Sequence, residues 1–168
     1  MANTSDDGII TVRHEFRPGD AGRLIELHGL LYAKEYGFDH TFEAYVAKPL
    51  AEFMLSKTGR EQLWLIDSGG ELLGSIAIVM HTASEAQLRW FLLHPSIRGK
   101  GLGSRLVGEA VEFCRHAGYD RVFLWTVSLL EAAARTYLKH GFKLTEEQTH
   151  AIWGRTLTEQ RYDLLLNH

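Results

Sequence analysis

Apolar positions along the chain change their period several times, and each change marks an element. A short β-branched run over residues 9–13 reads as a strand; Pro18-Gly19-Asp20 breaks it and offers Asp20 as a helix N-cap. Leu24, Leu27, His28, Leu31, Tyr32, Glu35 and Tyr36 then recur at helical spacing, and Gly37 stops them. Asp39 is placed to cap a second helix carrying Phe42, Tyr45, Val46, Leu50, Phe53 and Met54, with a kink or break expected at Pro49. Residues 63–67 and 72–81 flank Ser68-Gly69-Gly70 and read as a hairpin. Residues 87–93 form a further strand, ended by His94-Pro95.

The second half changes rhythm. A glycine-rich stretch leads into a helix with Leu106, Val107, Ala110, Val111, Phe113, Cys114 and Ala117 on its apolar side, ended by Gly118. Residues 121–127 read as a strand, 129–140 as an Ala- and Leu-rich helix closed by Gly141, and 142–146 and 158–166 as two final strands. This order predicts an α/β (α+β) fold: a mixed, mostly antiparallel sheet of six to seven strands with helices on both faces.

Composition narrows the class. A chain of 168 residues suits one domain that buries about 70% of its unfolded surface. With 45% hydrophobic and 23% charged residues it is expected to be globular rather than disordered. Eighteen basic against 21 acidic residues, a net charge of −3, argue against a nucleic-acid binder that relies on bulk electrostatics. The lone Cys114 leaves no disulfide framework and suits a reducing cytoplasm. The polar, acidic start is unlike a signal peptide, and no apolar run approaches the roughly 18 residues of a membrane span. Residues 1–8 are expected to fray and 9–168 to form the single domain. The nine histidines are dispersed, without a His-Glu-x-x-His or Cys-x-x-Cys pair, so no metal is expected.

The chemistry concentrates in Leu92-Leu93-His94-Pro95-Ser96-Ile97-Arg98-Gly99-Lys100-Gly101-Leu102-Gly103-Ser104, between a predicted strand and a predicted helix. Glycines at 99, 101 and 103 free backbone N–H groups to approach a ligand. At a helix N-terminus those groups and the dipole favour an anion, and Arg98 and Lys100 add positive charge. The Rossmann spacing fails, because Ser104 or Leu106 stands where its third glycine belongs. The Walker A pattern fails because Gly101, not Ser or Thr, follows Lys100.

The stretch resembles the acyl-CoA loop of the GCN5-related N-acetyltransferase superfamily, Gln/Arg-x-x-Gly-x-Gly/Ala, through Arg98, Gly101 and Gly103. Downstream, Ala133-Ala134-Arg135-Thr136-Tyr137-Leu138-Lys139-His140-Gly141-Phe142 resembles that family's Ala-x-x-x-Tyr-x-x-x-Gly-Phe signature. The resemblance implies the family's fold and direct attack of an amine on the thioester of acetyl-CoA, with no metal. It implies the pyrophosphate on Arg98, Gly99, Lys100, Gly101, Gly103 and Ser104, and the pantetheine arm beside Leu92 and Leu93, covered by the helix of Ala133. It assigns Tyr137 as proton donor to the departing thiolate. A thiol near pKa 8.5 and a phenol near 10 make full transfer uphill by only about 2 kcal/mol.

The family's strand glutamate is Gln87 here, so Glu85, two residues earlier on the same strand face, becomes the candidate base. Glu26, Glu35 and His28 could also border the acceptor. The family's asparagine at the start of the later helix is Leu130. Trp153-Gly154-Arg155-Thr156-Leu157 and Tyr36-Gly37-Phe38-Asp39 resemble the acetyltransferase half of bacterial fusions with MarR-type regulators. The expected partner is a small-molecule or peptidyl amine, with Glu35 and Asp39 suiting a cationic one; neither nucleic acid nor membrane is expected, and a homodimer would be ordinary for the family. The departures at Gln87 and Leu130 keep a non-catalytic acyl-CoA sensor or interaction module as the alternative, and a nucleotide binder as a third.

Overall fold

The structure, a computed structural model, describes residues 8–167. The expected fraying of residues 1–8 falls, apart from Gly8, outside them. The elements run β1 (Ile10–Arg13), α1 (Asp20–Tyr36), α2 (Thr41–Ser56), β2 (Gln62–Ser68), β3 (Glu71–Met80), β4 (Glu85–Leu93), a 3₁₀ turn (Pro95–Ile97), α3 (Leu102–His116), β5 (Arg121–Val127), α4 (Glu131–Lys139), β6 (Lys143–Ile152) and β7 (Arg155–Leu165). They build one seven-stranded sheet in the order β1-β2-β3-β4-β5-β7-β6. Every neighbouring pair is antiparallel except β4 and β5.

Alternation along β2 shows how the two faces are filled. Trp64 and Ile66 join Leu106, Val107, Ala110 and Tyr137 beneath α3 and α4. Leu63 and Leu65 join Leu24, Val46, Leu50 and Phe53 beneath α1 and α2. Each fully buried side chain of this kind contributes about 1.5–3 kcal/mol. Cys114 packs in the α3 face, where burial pushes its thiol up to about 12, so it is unreactive packing. No helix among the described residues is long and apolar enough to cross a membrane.

Three local expectations are revised. Helix α2 runs unbroken through Pro49. The N-cap of α1 is Gly19, at φ 92°, and Asp20 is the first helical residue, only 1% exposed. Asp20 instead accepts hydrogen bonds from the Arg17 amide at 2.6 Å and from both Arg13 Nη atoms at 2.6 and 2.7 Å, tying β1 to α1. Third, β6 has 10 residues, twice the length predicted, and β7 starts earlier than predicted, at Arg155. They meet in a two-residue turn with Trp153 at φ 52° and Gly154 at φ 79°, the left-handed geometry that matches hairpin twist. Nearly all of β6 is exposed, so it carries no apolar alternation to betray it.

The buried Asp20–Arg13 pair sets a prediction for stability. Asp20→Asn leaves Arg13 with Asp67 as its remaining carboxylate and will cost about 1.5–3 kcal/mol at neutral pH in urea unfolding. The hydrogen bond from Arg13 holds the Asp20 carboxyl below its ordinary range. The wild-type advantage is therefore complete above the unfolded value of about 3.9 and fades as pH falls through the lower folded value. The two proteins should converge in strong acid; a gap independent of pH would contradict this account.

Candidate active site

The one parallel pair of strands opens the site. β4 and β5 are paired only at Glu85–Arg121, Ala86–Val122 and Gln87–Phe123. Beyond Gln87 they separate: β5 stays paired with β7 as far as Val127, while β4 keeps β3 alone. A cleft of about 650 Å³ lies between them, bordered by α1, α2, the 98–104 loop and α4. Its β4 wall is a strand edge whose N–H and C=O groups face no strand, a surface that an extended amide chain can pair with.

A bulge interrupts this wall. Register moves from Ala77–Arg89 to Ser75–Leu92, so Trp90 and Phe91 together stand opposite Ile76. Trp90 has φ 50°, a left-handed conformation that costs a side-chain-bearing residue about 1–2 kcal/mol. The buried Ser75 hydroxyl donates to the Trp90 carbonyl at 2.5 Å and satisfies the acceptor that the bulge frees. Trp90 thereby turns toward α2, where it meets Phe53 at 5.5 Å, while Phe91 faces Tyr137 on the opposite side.

At one end of the cleft lies the glycine loop. Gly99 and Gly101 adopt φ 79° and 80°, and α3 begins directly after Gly101 with no side chain capping its first turn. The amides there are left for an anion, and helix α3, with its 15 residues, directs its dipole at them. Gly103 answers a different need, since a Cβ there would stand 3.2 Å from Phe91 and 3.4 Å from Leu93. Leu92, Leu93, Arg98, Gly99, Gly101, Gly103, Ser104, Ala133 and Tyr137 all line the cleft. Ser104 is hydrogen-bonded to His140 Nε2 at 3.0 Å.

Two predicted residues stand elsewhere. Lys100 is exposed and outside the lining. Glu85 is correctly placed on the Gln87 face of β4, but at the end where β4 and β5 are still paired, and it lies 3.7 Å from Arg121. The structure therefore does not bring Glu85 to the cleft. The acidic pair expected to attract a cation is also engaged. Glu35 binds Arg98 at 2.6 and 3.2 Å, and Asp39 accepts the Thr41 amide at 2.9 Å at the start of α2.

Tyr137 projects from α4 into the cleft, only 5% exposed, among Phe91, Phe142 and Tyr162 at 5.9–6.1 Å. Burial pushes its hydroxyl well above the ordinary phenol value, so it stays protonated. His28, 3% exposed, also lines the cleft; a backbone carbonyl only accepts, so its Nδ1 carries the proton that bonds Leu24 O at 2.8 Å. Burial pushes this imidazole down to about 4, which keeps it neutral.

The face beneath α1 and α2 carries two residues that the sequence reading did not single out, Arg89 on β4 and Glu159 on β7. Glu159 follows Leu157 by two positions, so it shares that residue's inward face, and His150 Nε2 donates to it at 2.5 Å across the hairpin. Placing it required the β6–β7 register, which the polar sequence of β6 conceals. Trp153, at the hairpin turn, lines the same region and meets Tyr45 at 5.0 Å and Phe42 at 4.9 Å.

A profile of the Acetyltransferase (GNAT) family matches residues 23–142. The chain is 31% identical over 122 residues to an uncharacterized N-acetyltransferase of Schizosaccharomyces pombe, covering 71% of this chain and 74% of that one. It is 35% identical over 83 residues to the uncharacterized N-acetyltransferase YjgM of Escherichia coli, covering 48% of this chain and 50% of that one. The matched region thus spans about half of YjgM. Among solved structures, the fold is similar to yncA of Salmonella typhimurium, solved with its cofactor acetyl-CoA: 18% identity, 94% of each chain and a TM-score of 0.74. With the family profile matching most of its length, the chain belongs to the GNAT acetyltransferase family.

Proposed function

We propose that this protein transfers the acetyl group of acetyl-CoA to a primary amine, by direct attack within the β4–β5 cleft. The observation that carries the reading is a juxtaposition: the unpaired edge of β4 and the uncapped, glycine-led N-terminus of α3 border the same cleft. The residues fit the cofactor's chemistry. Backbone amides after Gly101 take the pyrophosphate, with open space where Cβ atoms at Gly99 and Gly101 would lie. The β4 edge beside Leu92 and Leu93 takes the amides of the pantetheine arm, and Ala133 on α4 closes over it. The Leu93 carbonyl is already taken by Arg98 Nε at 2.7 Å, so Arg98 acts by shaping the loop as well as by charge.

As the carbon–nitrogen bond forms and the carbon–sulfur bond breaks, Tyr137 meets the departing sulfur. Because burial raises its pKa, it donates a hydrogen bond rather than a complete proton. In this reading the amine proton passes to Glu159 instead of Glu85 and from there to solvent, while the half-exposed His150, donating from Nε2, holds the carboxylate in place. Residues 9–168 act as one acetyltransferase unit. The closer kinship to the acetyltransferase half of MarR-type fusions rests on the sequence of two segments that meet in the fold, the Asp39 amide donating to Trp153 O at 2.9 Å.

The test is thermal stabilisation by CoA, ATP and NAD, followed by thiol release from acetyl-CoA across a panel of amines. CoA alone should stabilise, and thiol release should require an amine. Stabilisation by CoA with no turnover on any amine would instead support a binding module. Glu159→Gln should lower kcat about a hundredfold near neutral pH and leave acetyl-CoA affinity unchanged. The deficit should shrink in alkaline buffer, where the amine is already deprotonated; a constant deficit would remove Glu159 from proton transfer.

A further inference from the structure

The acceptor end of the cleft holds an unusual cation. Arg89 lines the cleft from β4, yet among the described residues its guanidinium makes no ion pair and no hydrogen bond. It stands over two rings instead, Trp90 at 5.3 Å and Tyr45 at 5.7 Å. Glu52 acts on it only through space, beyond ion-pair distance. By contrast, Arg98 at the cofactor end already has its carboxylate in Glu35. Burial pulls the Arg89 pKa below the ordinary arginine value, though a guanidinium keeps its charge. A cation taken out of water without a counter-ion is costly, and an anionic ligand would relieve that cost.

The opposite charge lies on the same face. Arg89, Tyr45 and Glu159 all line the cleft, and Tyr45 is within electrostatic reach of both the guanidinium and the carboxylate. Trp153 and Phe42 continue the wall beside Tyr45 as apolar surface. A small ligand spanning these groups needs an anion at one end, an amine at the other and an apolar side chain between them.

We propose, building on the acetyltransfer reading, that the acceptor is a free amino acid, its carboxylate gripped by Arg89 and its α-amine presented at Glu159. The planar guanidinium fork suits a carboxylate bidentately, and this grip would fix which face of the amine meets the thioester. Peptides, whose first residue has an amide in place of the carboxylate, would be poor acceptors. Tyr45 and Trp153 would favour apolar over charged side chains.

The test compares free amino acids, their amides and the matching decarboxylated amines as acceptors, for wild type and for Arg89→Gln and Arg89→Lys. In wild type the carboxylate should raise kcat/KM at least about a hundredfold. In Arg89→Gln that preference should fall to within about threefold, and Arg89→Lys, a point charge, should keep part of it. Acetyl-CoA affinity should be unchanged in both variants and Tm should not fall, which separates the loss from misfolding. Amides and plain amines acetylated as well as amino acids, or a preference that survives Arg89→Gln, would overturn this proposal and leave acetyltransfer standing. A protein that does not bind acetyl-CoA at all would overturn both.

Discussion

Replacing Tyr137 with Phe will lower kcat by about a hundred- to a thousandfold while acetyl-CoA affinity stays within about twofold of wild type. The hydroxyl is the only group removed, and among the described residues it has no hydrogen-bond partner, so the fold loses little. The ring still fills its place against Phe91, Phe142 and Tyr162. What disappears is a donor that becomes valuable only as negative charge develops on sulfur, an interaction of the transition state rather than of binding. A pre-steady-state experiment should show the loss in the chemical step, and an unchanged kcat would take Tyr137 out of the mechanism. The pKa shift sharpens this expectation. A phenol pushed above its ordinary value does not ionise on the alkaline side of neutrality, so no basic limb of the rate profile should trace to Tyr137.

Gly101→Val should act on the other half of the reaction. Gly101 stands at φ 80°, with nothing within 4 Å of where a Cβ would be built, so the cost is conformational rather than steric crowding by neighbours. A β-branched residue resists the left-handed region and would pull the first turn of α3 out of line. Each amide hydrogen bond to a charged oxygen contributes about 1.5–3 kcal/mol. Losing one or two should weaken acetyl-CoA binding by about tenfold to ten-thousandfold in calorimetric titration, while kcat at saturating cofactor stays near wild type. Equal affinity in the variant would show that the loop does not hold the pyrophosphate. Dephospho-CoA, which keeps the diphosphate, and pantetheine, which lacks it, offer a check within one experiment, because the variant should lose affinity for the first and not for the second.

The parts of this molecule that were legible in its sequence are those where local chemistry and burial agree. The loop around Gly99 and Gly101 was readable because positive φ selects glycine, and α3 because one face of it is apolar. Tyr137 was readable only through its resemblance to a family signature, since an amphipathic tyrosine is ordinary helix packing. Asp20 was misjudged because an acidic residue after Pro-Gly looks like a cap, whereas its partner, Arg13, is fixed by strand-to-helix packing. The bulge at Trp90 left no trace, because tryptophan does not announce a left-handed backbone. Glu85 was on the right face of the right strand, but where β4 and β5 part company is a property of two strands 36 residues apart in the chain, as Glu85–Arg121 pairing shows. Glu159 and Arg89 became visible only when the β6–β7 register and the bulge set them on one face.

The central claim is that one cleft brings a thioester and an amine together for direct transfer. It is tested most directly by following both products in one reaction of the wild-type protein with acetyl-CoA and an amino-acid acceptor, using mass spectrometry with a thiol assay. The account predicts one acetylated amine for every thiol released, no thiol release when the acceptor is left out, and no acetyl group retained on the protein. Thiol released without acetylated amine, or cofactor bound indefinitely with neither product formed, would contradict it.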